Sequence, residues 1–383
     1  MSETSSARIP LWLDCDPGHD DAFAILLAAH HPSLALLGIS TVHGNASLAH
    51  TTANALAVLE AIGKCDINVF PGTSKPFCRE ANAAPEIHGE SGLDGTDLLP
   101  KPERKALTHC NAVTEMRDAL MSTEPNTAWL VTTGTMTNAA LMFSIYPEIA
   151  GHIKGLSIMG GAVGNSFTAV SMGPDFIDPS SGAEGVLRPR IGNWSPYAEF
   201  NIWCDPESAQ SIFSNSTLRP KTWLIPLDVT HQAYATKPIQ DFLLWGGKKR
   251  LAQKPPCSPS SIPTNEKPTR LRKMFNELLM FFAKTYSDQF GLSEGPPLHD
   301  PLAVAVLLHD HSGPAVRIPF SDNIGERYDI NTVLEGNELG RTVVSPTNGN
   351  GSIVPRTLDL QAFWKTLEMC MERADKATGY KSL

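Results

Sequence analysis

No two cysteines of the sequence stand at CxxC spacing; the seven are scattered at positions 15, 65, 78, 110, 204, 257 and 370. Their odd number and wide separation argue against a disulfide framework and a structural zinc site, and for reduced thiols. Long apolar runs are also missing. Stretches such as AFAILLAA and LAVAVLL fall far short of the roughly 20 residues that cross a membrane. The first ten residues, MSETSSARIP, have neither a basic n-region nor an apolar h-region, so the expected location is cytoplasmic, with a nuclear share left open. Positive charge is in deficit, 31 Lys and Arg against 40 Asp and Glu for a net charge of −9, which disfavours a nucleic-acid backbone as partner.

Against that background, residues 14 to 22 read DCDPGHDDA, with Asp14, Asp16, Asp20 and Asp21 crowded behind the apolar run IPLWL. Mutually repelling carboxylates need a compensating positive charge, or some of them must be protonated. A bound cation is the simplest compensation. The same acids could also serve as a solvated helix N-terminus, where the helix dipole favours them; on composition the two readings are level.

The first half of the chain alternates short apolar runs with helix-like segments, the pattern of a mostly parallel α/β sheet flanked by helices. Strands are expected at 10–15, 34–41, 67–70, 128–132, 155–159 and 222–226, apolar on consecutive residues as buried parallel strands require. Helices are expected at 20–30, 46–62, 111–122, 136–149 and 205–214, with Thr135 or Asp205 as caps. A long helix near 270–288, a buried helix in GPPLHDPLAVAVLL, antiparallel strands within 315–346 and a closing helix near 357–374 follow. Two stretches break the pattern, Gly/Ser/Pro-rich 164–192 and basic, Pro/Ser-rich 246–268. Strand-like segments lie on both sides of each, so a single domain over 1–383 with two insertion loops is expected.

In an open parallel sheet, the loops at the carboxyl ends of the strands share one rim, where ligands bind. DCDPGHDD follows the first strand, HGN (43–45) the second, TTGTMTN (132–138) a central one and MGGAVGN (159–165) the next, while Asp300 precedes a helix in LHDPLA. Pro17 and Gly18 turn the chain so that Asp16 and Asp21 can face each other. Two carboxylates, a loop carbonyl and one more carboxylate would form an oxygen-only site for Ca²⁺ or Mg²⁺. Asp14 lies on the same strand face, one pleat deeper, and is expected to support the metal shell or a backbone amide. GNWSPYAEFNIWCDPESA groups Asn193, Glu199 and Asn201, whose donors and acceptors suit sugar hydroxyls. The plainer reading of that segment is a polar turn with a helix cap at Asp205. His88, in IHGESGLDGTDLLP, reads by itself as a surface residue.

With DCDPGHDDA, VHGN, IHGESGLDGTDLLP, TTGTMTNAA, MGGA, GNWSPYAEFN and PPLHDPLAVA in this order, the chain resembles the inosine–uridine-preferring nucleoside hydrolases from about Leu11 to beyond Ala305. The resemblance implies a Rossmann-like nucleoside hydrolase fold and tightly bound Ca²⁺. It implies hydrolysis of the N-glycosidic bond of ribonucleosides, whether uridine, inosine or nicotinamide riboside, to ribose and free base in nucleoside salvage. It also implies a homodimer or homotetramer. Asp16 then matches a general base that also binds the metal, Asp21 and Asp300 match chelating carboxylates, and Thr133 matches the donor of a ligating carbonyl. Asp20, Asn45, Asn193, Glu199 and Asn201 match residues that hold the ribose and 5′ hydroxyls, and Met159 flanks the ribose. His88 and His299 match histidines near the nucleobase, either of which could assist its departure, and Tyr286, Gln289 and Phe290 fall on a base-contacting helix. The 164–192 stretch is longer than the family leads one to expect, and is expected to cover the site or serve an interface.

Two rivals compete with this reading. A Mg²⁺-dependent phosphoryl transferase could use the spacing of Asp14 and Asp16, but no Lys or Arg occurs between Arg8 and Lys64 to cradle a phosphate. A non-catalytic nucleoside-binding protein of the same fold would be signalled by loss of the Asp16 carboxylate, which is present.

Overall fold

A computed structural model describes residues 8–178, 185–246, 267–313, 317–323 and 325–380. Its central sheet is built from β1 (Ile9–Cys15), β2 (Leu34–Thr41), β3 (Val69–Pro71), β4 (Trp129–Thr132) and β5 (Gly155–Met159). After a small hairpin of β6 (Phe176–Asp178) and β7 (Val186–Arg188), β8 (Thr222–Ile225) completes it. The order is β3-β2-β1-β4-β5-β8, and every neighbouring pair is parallel. The chain steps outward from β1 through β2 and β3, then returns to the other side of β1 at β4. That reversal opens a crevice at the carboxyl ends of β1 and β4. Asp14 pairs with Thr132 across the two strands, so Asp16 and Thr133 leave the sheet at the same edge.

Strand side chains alternate between two cores. Leu11, Leu13, Cys15, Val131 and Ile225 enter one, and Trp12, Leu130, Ile158 and Leu224 the other. The first core is covered by α1 (Asp21–His30) and α2 (Leu48–Ala61); the second by α4 (Ala112–Met121), α5 (Thr137–Ile145) and α6 (Ile149–His152), with α3 (Pro85–His88) at the rim. Then come α7 (Phe200–Cys204), α8 (Pro206–Phe213), α9 (Leu227–Thr230), α10 (Lys237–Trp245), α11 (Arg270–Phe290), α12 (Asp300–Ala305) and α13 (Leu360–Ala377). Among them, α11, α12 and α13 return to the first core. Strands β9 (Phe320–Ser321), β10 (Arg327–Thr332), β11 (Thr342–Thr347) and β12 (Thr357–Leu358) form two small antiparallel pairs near the C-terminus.

The six expected strands are the six of the central sheet. The helix expected over 136–149 is two helices, because Pro147 has no N–H to continue the first. Asp205 caps α8 by accepting from Ser208 N at 3.1 Å, whereas Thr135 caps nothing and donates to the His43 carbonyl at 3.0 Å. The stretch 164–192, expected as loop, contains the β6–β7 hairpin, whose strands are too short and too exposed to show a buried alternation. Most of 246–268 lies outside the described residues. Among the described residues no helix is long and apolar enough to cross a membrane.

Helix α11, which walls the cavity described below, is tied to α13 by one buried cation. The Arg272 guanidinium meets Asp375 at 2.5 Å, Glu368 at 2.9 Å and Glu372 at 3.5 Å. Loss of a buried charge partner costs about 3–5 kcal/mol, and it is the fully buried Asp375 that would lose its guanidinium here. Arg272→Met should lower the urea midpoint accordingly at an unchanged m-value; an unaltered midpoint would show that the network contributes nothing.

Candidate active site

The crevice holds a cluster of buried carboxylates. Oxygens of Asp20, Asp21 and Asp300 lie within 4.8 Å of one another. Asp300 is within hydrogen-bonding reach of both Asp20 and Asp21. Carboxylates this close cannot all be ionised unless a proton or a cation lies among them. Burial pushes the Asp20 carboxyl up to about 7, with repulsion from Asp21 next in size. Burial first and neighbouring carboxylates second also push Asp16 and Asp300 well above the ordinary range.

Asp16, expected as a ligand, stands outside this trio, though near enough to be repelled by Asp21 and Asp20. Its Oδ2 accepts from Asn45 N at 2.8 Å, while Oδ1, equally buried, has no hydrogen-bond partner among the described residues. An orphaned buried oxygen is costly and calls for a ligand. Asn45 joins the two sides of the turn, its Nδ2 donating to the Asp16 carbonyl at 3.1 Å and to Asp21 Oδ2 at 3.2 Å. Asp21 also accepts from Gly18 N at 2.9 Å and from Thr133 Oγ1 at 2.8 Å. The backbone of the HGN turn packs hard against Asp16, and a Cβ on Gly44 would stand 1.9 Å from Asp16 Oδ2. Asp14 lies deeper; its Oδ1 accepts from the side chains of Ser40 and Asn138 rather than from a backbone amide, one of the two supporting roles expected of it, and burial pushes its carboxyl up to about 7.

A cavity opens above the cluster, lined by Asp20, Asn45, Thr133, Met159, Asn193, Glu199, Asn201 and Asp300 on one side. Glu199 caps α7, with Oε1 accepting from Asn201 N at 2.8 Å and Oε2 from Gly161 N at 2.8 Å. Asn201 Nδ2 donates to the Thr133 carbonyl at 2.9 Å, the carbonyl expected to ligate a metal. Asn193 Oδ1 accepts from Phe200 N at 3.0 Å. The segment therefore caps α8 through Asp205, as its plainer reading expects, and also lines the cavity.

The other side of the cavity is aromatic, formed by His88, Trp194, Phe200, Phe282, Tyr286, Phe290 and His299. Phe282, Tyr286 and Phe290 recur every four residues on one face of α11, and Gln289 falls off that face into solvent. His299 is held at both ring nitrogens, Nδ1 by Thr230 Oγ1 and Nε2 by Tyr286 OH, each at 2.7 Å. Burial keeps His88 and His299 far below the usual imidazole range, so both are neutral at physiological pH. Sequence reasoning missed Trp194, Phe200 and Phe282, which look like core residues, and gave His19 no role. None of the described residues of 164–192 lines the cavity.

Comparison with known proteins fits this geometry. The family profile for the inosine-uridine preferring nucleoside hydrolases matches residues 11–365. The chain belongs to this family. A uridine nucleosidase from Saccharomyces cerevisiae is 36% identical over 379 residues, covering 97% of this chain and 98% of the relative. The pyrimidine-specific ribonucleoside hydrolase RihA of Salmonella arizonae is 36% identical over 301 residues, 78% of this chain and 79% of its own. Among solved structures, a purine-preferring ribonucleoside hydrolase from Gardnerella vaginalis superposes with a TM-score of 0.72 at 25% identity, over 96% of this chain and 99% of that one. Nucleoside hydrolase family membership makes the chain an enzyme acting on ribonucleosides, and the carboxylate cluster is its candidate centre.

Proposed function

We propose that this chain hydrolyses the N-glycosidic bond of uridine, and of inosine or nicotinamide riboside more slowly, with Ca²⁺ held at the carboxylate cluster. The observation that carries the reading is the oxygen-only nest at the sheet's switch point, where oxygens of Asp20, Asp21 and Asp300 gather, together with a buried Asp16 Oδ1 that has no hydrogen-bond partner among the described residues. Such a donor set suits a hard cation and not zinc. Asp16, Asp21, Asp300 and the Thr133 carbonyl would hold the ion, with Asp20 close enough to share it. Bound there, a divalent cation supplies a grip on the ribose diol and a more acidic water. The full-length similarity to a uridine nucleosidase supports uridine as the first substrate.

The chain's own groups do the rest. Departure of the base leaves an oxocarbenium-like ribosyl cation, which nearby carboxylates stabilise. Asp16 accepts the proton of the attacking water through Oδ1, while Asn45 N fixes Oδ2. Asp20, Asn193, Glu199 and Asn201 present acceptors and donors to the ribose hydroxyls. The aromatic wall receives the base, and the Tyr286–His299 pair can pass a proton to a purine leaving group. A uracil anion departs with less help, so His299→Ala should slow inosine cleavage at least tenfold more than uridine cleavage. Equal loss on both substrates would remove His299 from this role.

The test is product chromatography of purified protein with uridine, inosine, cytidine and nicotinamide riboside. Equimolar ribose and free base, formed without any requirement for phosphate, is the expected result. No base from any nucleoside, by folded and calcium-loaded protein, would leave a binding role as the better reading. A companion variant checks the turn: Gly44→Ala pushes a Cβ into Asp16, and misplacement of a catalytic group by about 1 Å can cost on the order of 10²-fold in rate. Wild-type turnover by Gly44→Ala would show that the Asp16 position is not critical.

A further inference from the structure

Beside the carboxylates, His19 has no role in the chemistry above, yet it is buried and bonded at both ring nitrogens. Its ring stacks on Phe281 and Phe282 of α11, with centroids 5.1 and 5.5 Å away, and lies 5.3 Å from the ring of His88. His88 in turn stacks on Phe282 at 5.4 Å. These contacts fix both imidazoles in place. The chain turn permits them because Gly18 has no side chain; a Cβ there would stand 2.6 Å from His88 Nδ1.

The hydrogen-bond directions then follow. His19 Nε2 is 2.8 Å from the Asp94 carbonyl, which can only accept, so that nitrogen carries the proton. Both rings are buried and among the described residues no carboxylate bonds to either, so an imidazolium would be an unpaired buried charge and each imidazole carries a single N–H. His19 Nδ1 is therefore bare, and it lies 3.1 Å from His88 Nδ1. Two bare nitrogens would repel, so His88 Nδ1 carries the proton and donates to His19. His88 Nε2 is left bare on a residue that lines the cavity, with no protein partner among the described residues. The second ring nitrogen is set by the bond of the first.

We propose that His19 is a positioning residue that locks His88 in its Nδ1–H form, so that His88 Nε2 faces the nucleobase as a hydrogen-bond acceptor. An acceptor at that place favours bases that carry a ring N–H on the edge it meets. Uracil N3–H and hypoxanthine N1–H donate to it; cytosine N3 and adenine N1 are acceptors and oppose it. The asymmetry arises because a polar group left facing its own kind on desolvation costs more than a neutral contact. His88 in this form has no proton to give the leaving base, which leaves protonation to the Tyr286–His299 side. The base-selecting half rests on the hydrolase reading; the tautomer half does not.

One alternative geometry competes. The His19 backbone N–H also approaches His88 Nδ1, at 3.4 Å, and if that contact governed, Nδ1 would be bare and Nε2 would carry the proton. Nitrogen-15 NMR of histidine-labelled, calcium-loaded full-length protein separates the two through the ring couplings, with His88 assigned by its loss in His88→Gln. The expected result is the Nδ1–H form in wild type. His19→Phe keeps the stack but removes the acceptor, and should return His88 to the Nε2–H form and lower the uridine-to-cytidine ratio of kcat/KM about tenfold. His19→Asn, whose Oδ1 can replace Nδ1 as acceptor, should restore both, and calcium affinity by calorimetry should stay within twofold throughout. A wild-type His88 in the Nε2–H form, or a tautomer and ratio unmoved in His19→Phe, would overturn the proposal. A tautomer shift in protein that cleaves no nucleoside would instead refute the hydrolase reading and leave the positioning intact.

Discussion

Asp16→Asn should lower kcat for uridine by about 10²–10⁴ or more, the contribution of a positioned general base, with little change in far-UV circular dichroism. The replacement is close to isosteric, and Asn45 N can still bond the oxygen that takes the place of Oδ2. The amide nitrogen then falls where the unpartnered Oδ1 stood. An amide N–H₂ donates; it can neither accept a proton from water nor ligate a cation. On the proposed roles, the substitution removes the base and one metal ligand together while leaving the backbone of the turn in place. A kcat within threefold of wild type would show that another group takes the proton.

The second large effect is on stability. The folded-state pKa of Asp20 is raised from 3.8 to about 7, and Asp16, Asp21 and Asp300 are shifted in the same direction. A raised carboxyl means that the metal-free native protein holds more protons than the unfolded chain between about pH 4 and 7, so its stability falls as pH rises through that window. Calcium held there as proposed would relieve this repulsion where the carboxylates are ionised, and would compete with protons where they are not. The calcium-induced rise in Tm should therefore be small at pH 5.5 and largest near pH 8. Buried His19, His30, His31, His43 and His231, each lowered to about 4, act oppositely, costing stability as pH falls below about 6.5. Their contribution cancels when calcium-loaded and chelated samples are compared at one pH. A calcium-induced rise that is equal at both pH values, or larger at 5.5, would mean that the cluster does not bind the ion through ionised carboxylates.

The parts of this centre that were legible from sequence are those written in local pattern. Buried parallel strands are apolar on consecutive residues, so β1, β4 and β5 and the loops behind them could be placed, and with them Asp16, Thr133 and Met159. Asn193, Glu199 and Asn201 stand in one segment and reach the cavity together. What was not legible depends on residues that only folding brings together. Asn201 donates to Thr133 across 68 positions, and His19 meets His88 across 69. Asp20, expected to hold a sugar hydroxyl, clusters with Asp21 and with Asp300, far along the chain, because α1 and α12 begin side by side at the rim. The β6–β7 hairpin escaped notice for another reason, since its exposed Ile177, Val186 and Leu187 follow no core.

The most direct test of the central claim is a metal cycle on uridine cleavage. Purified protein is assayed as isolated, after prolonged chelation and dialysis, and again after titration with Ca²⁺, with uracil release followed at each step. Loss of activity on chelation and its full return at one bound calcium per chain is the predicted result. Undiminished uracil release from protein shown to contain no divalent metal would contradict it, and would require the Asp16, Asp20, Asp21 and Asp300 cluster to work by shared protons alone.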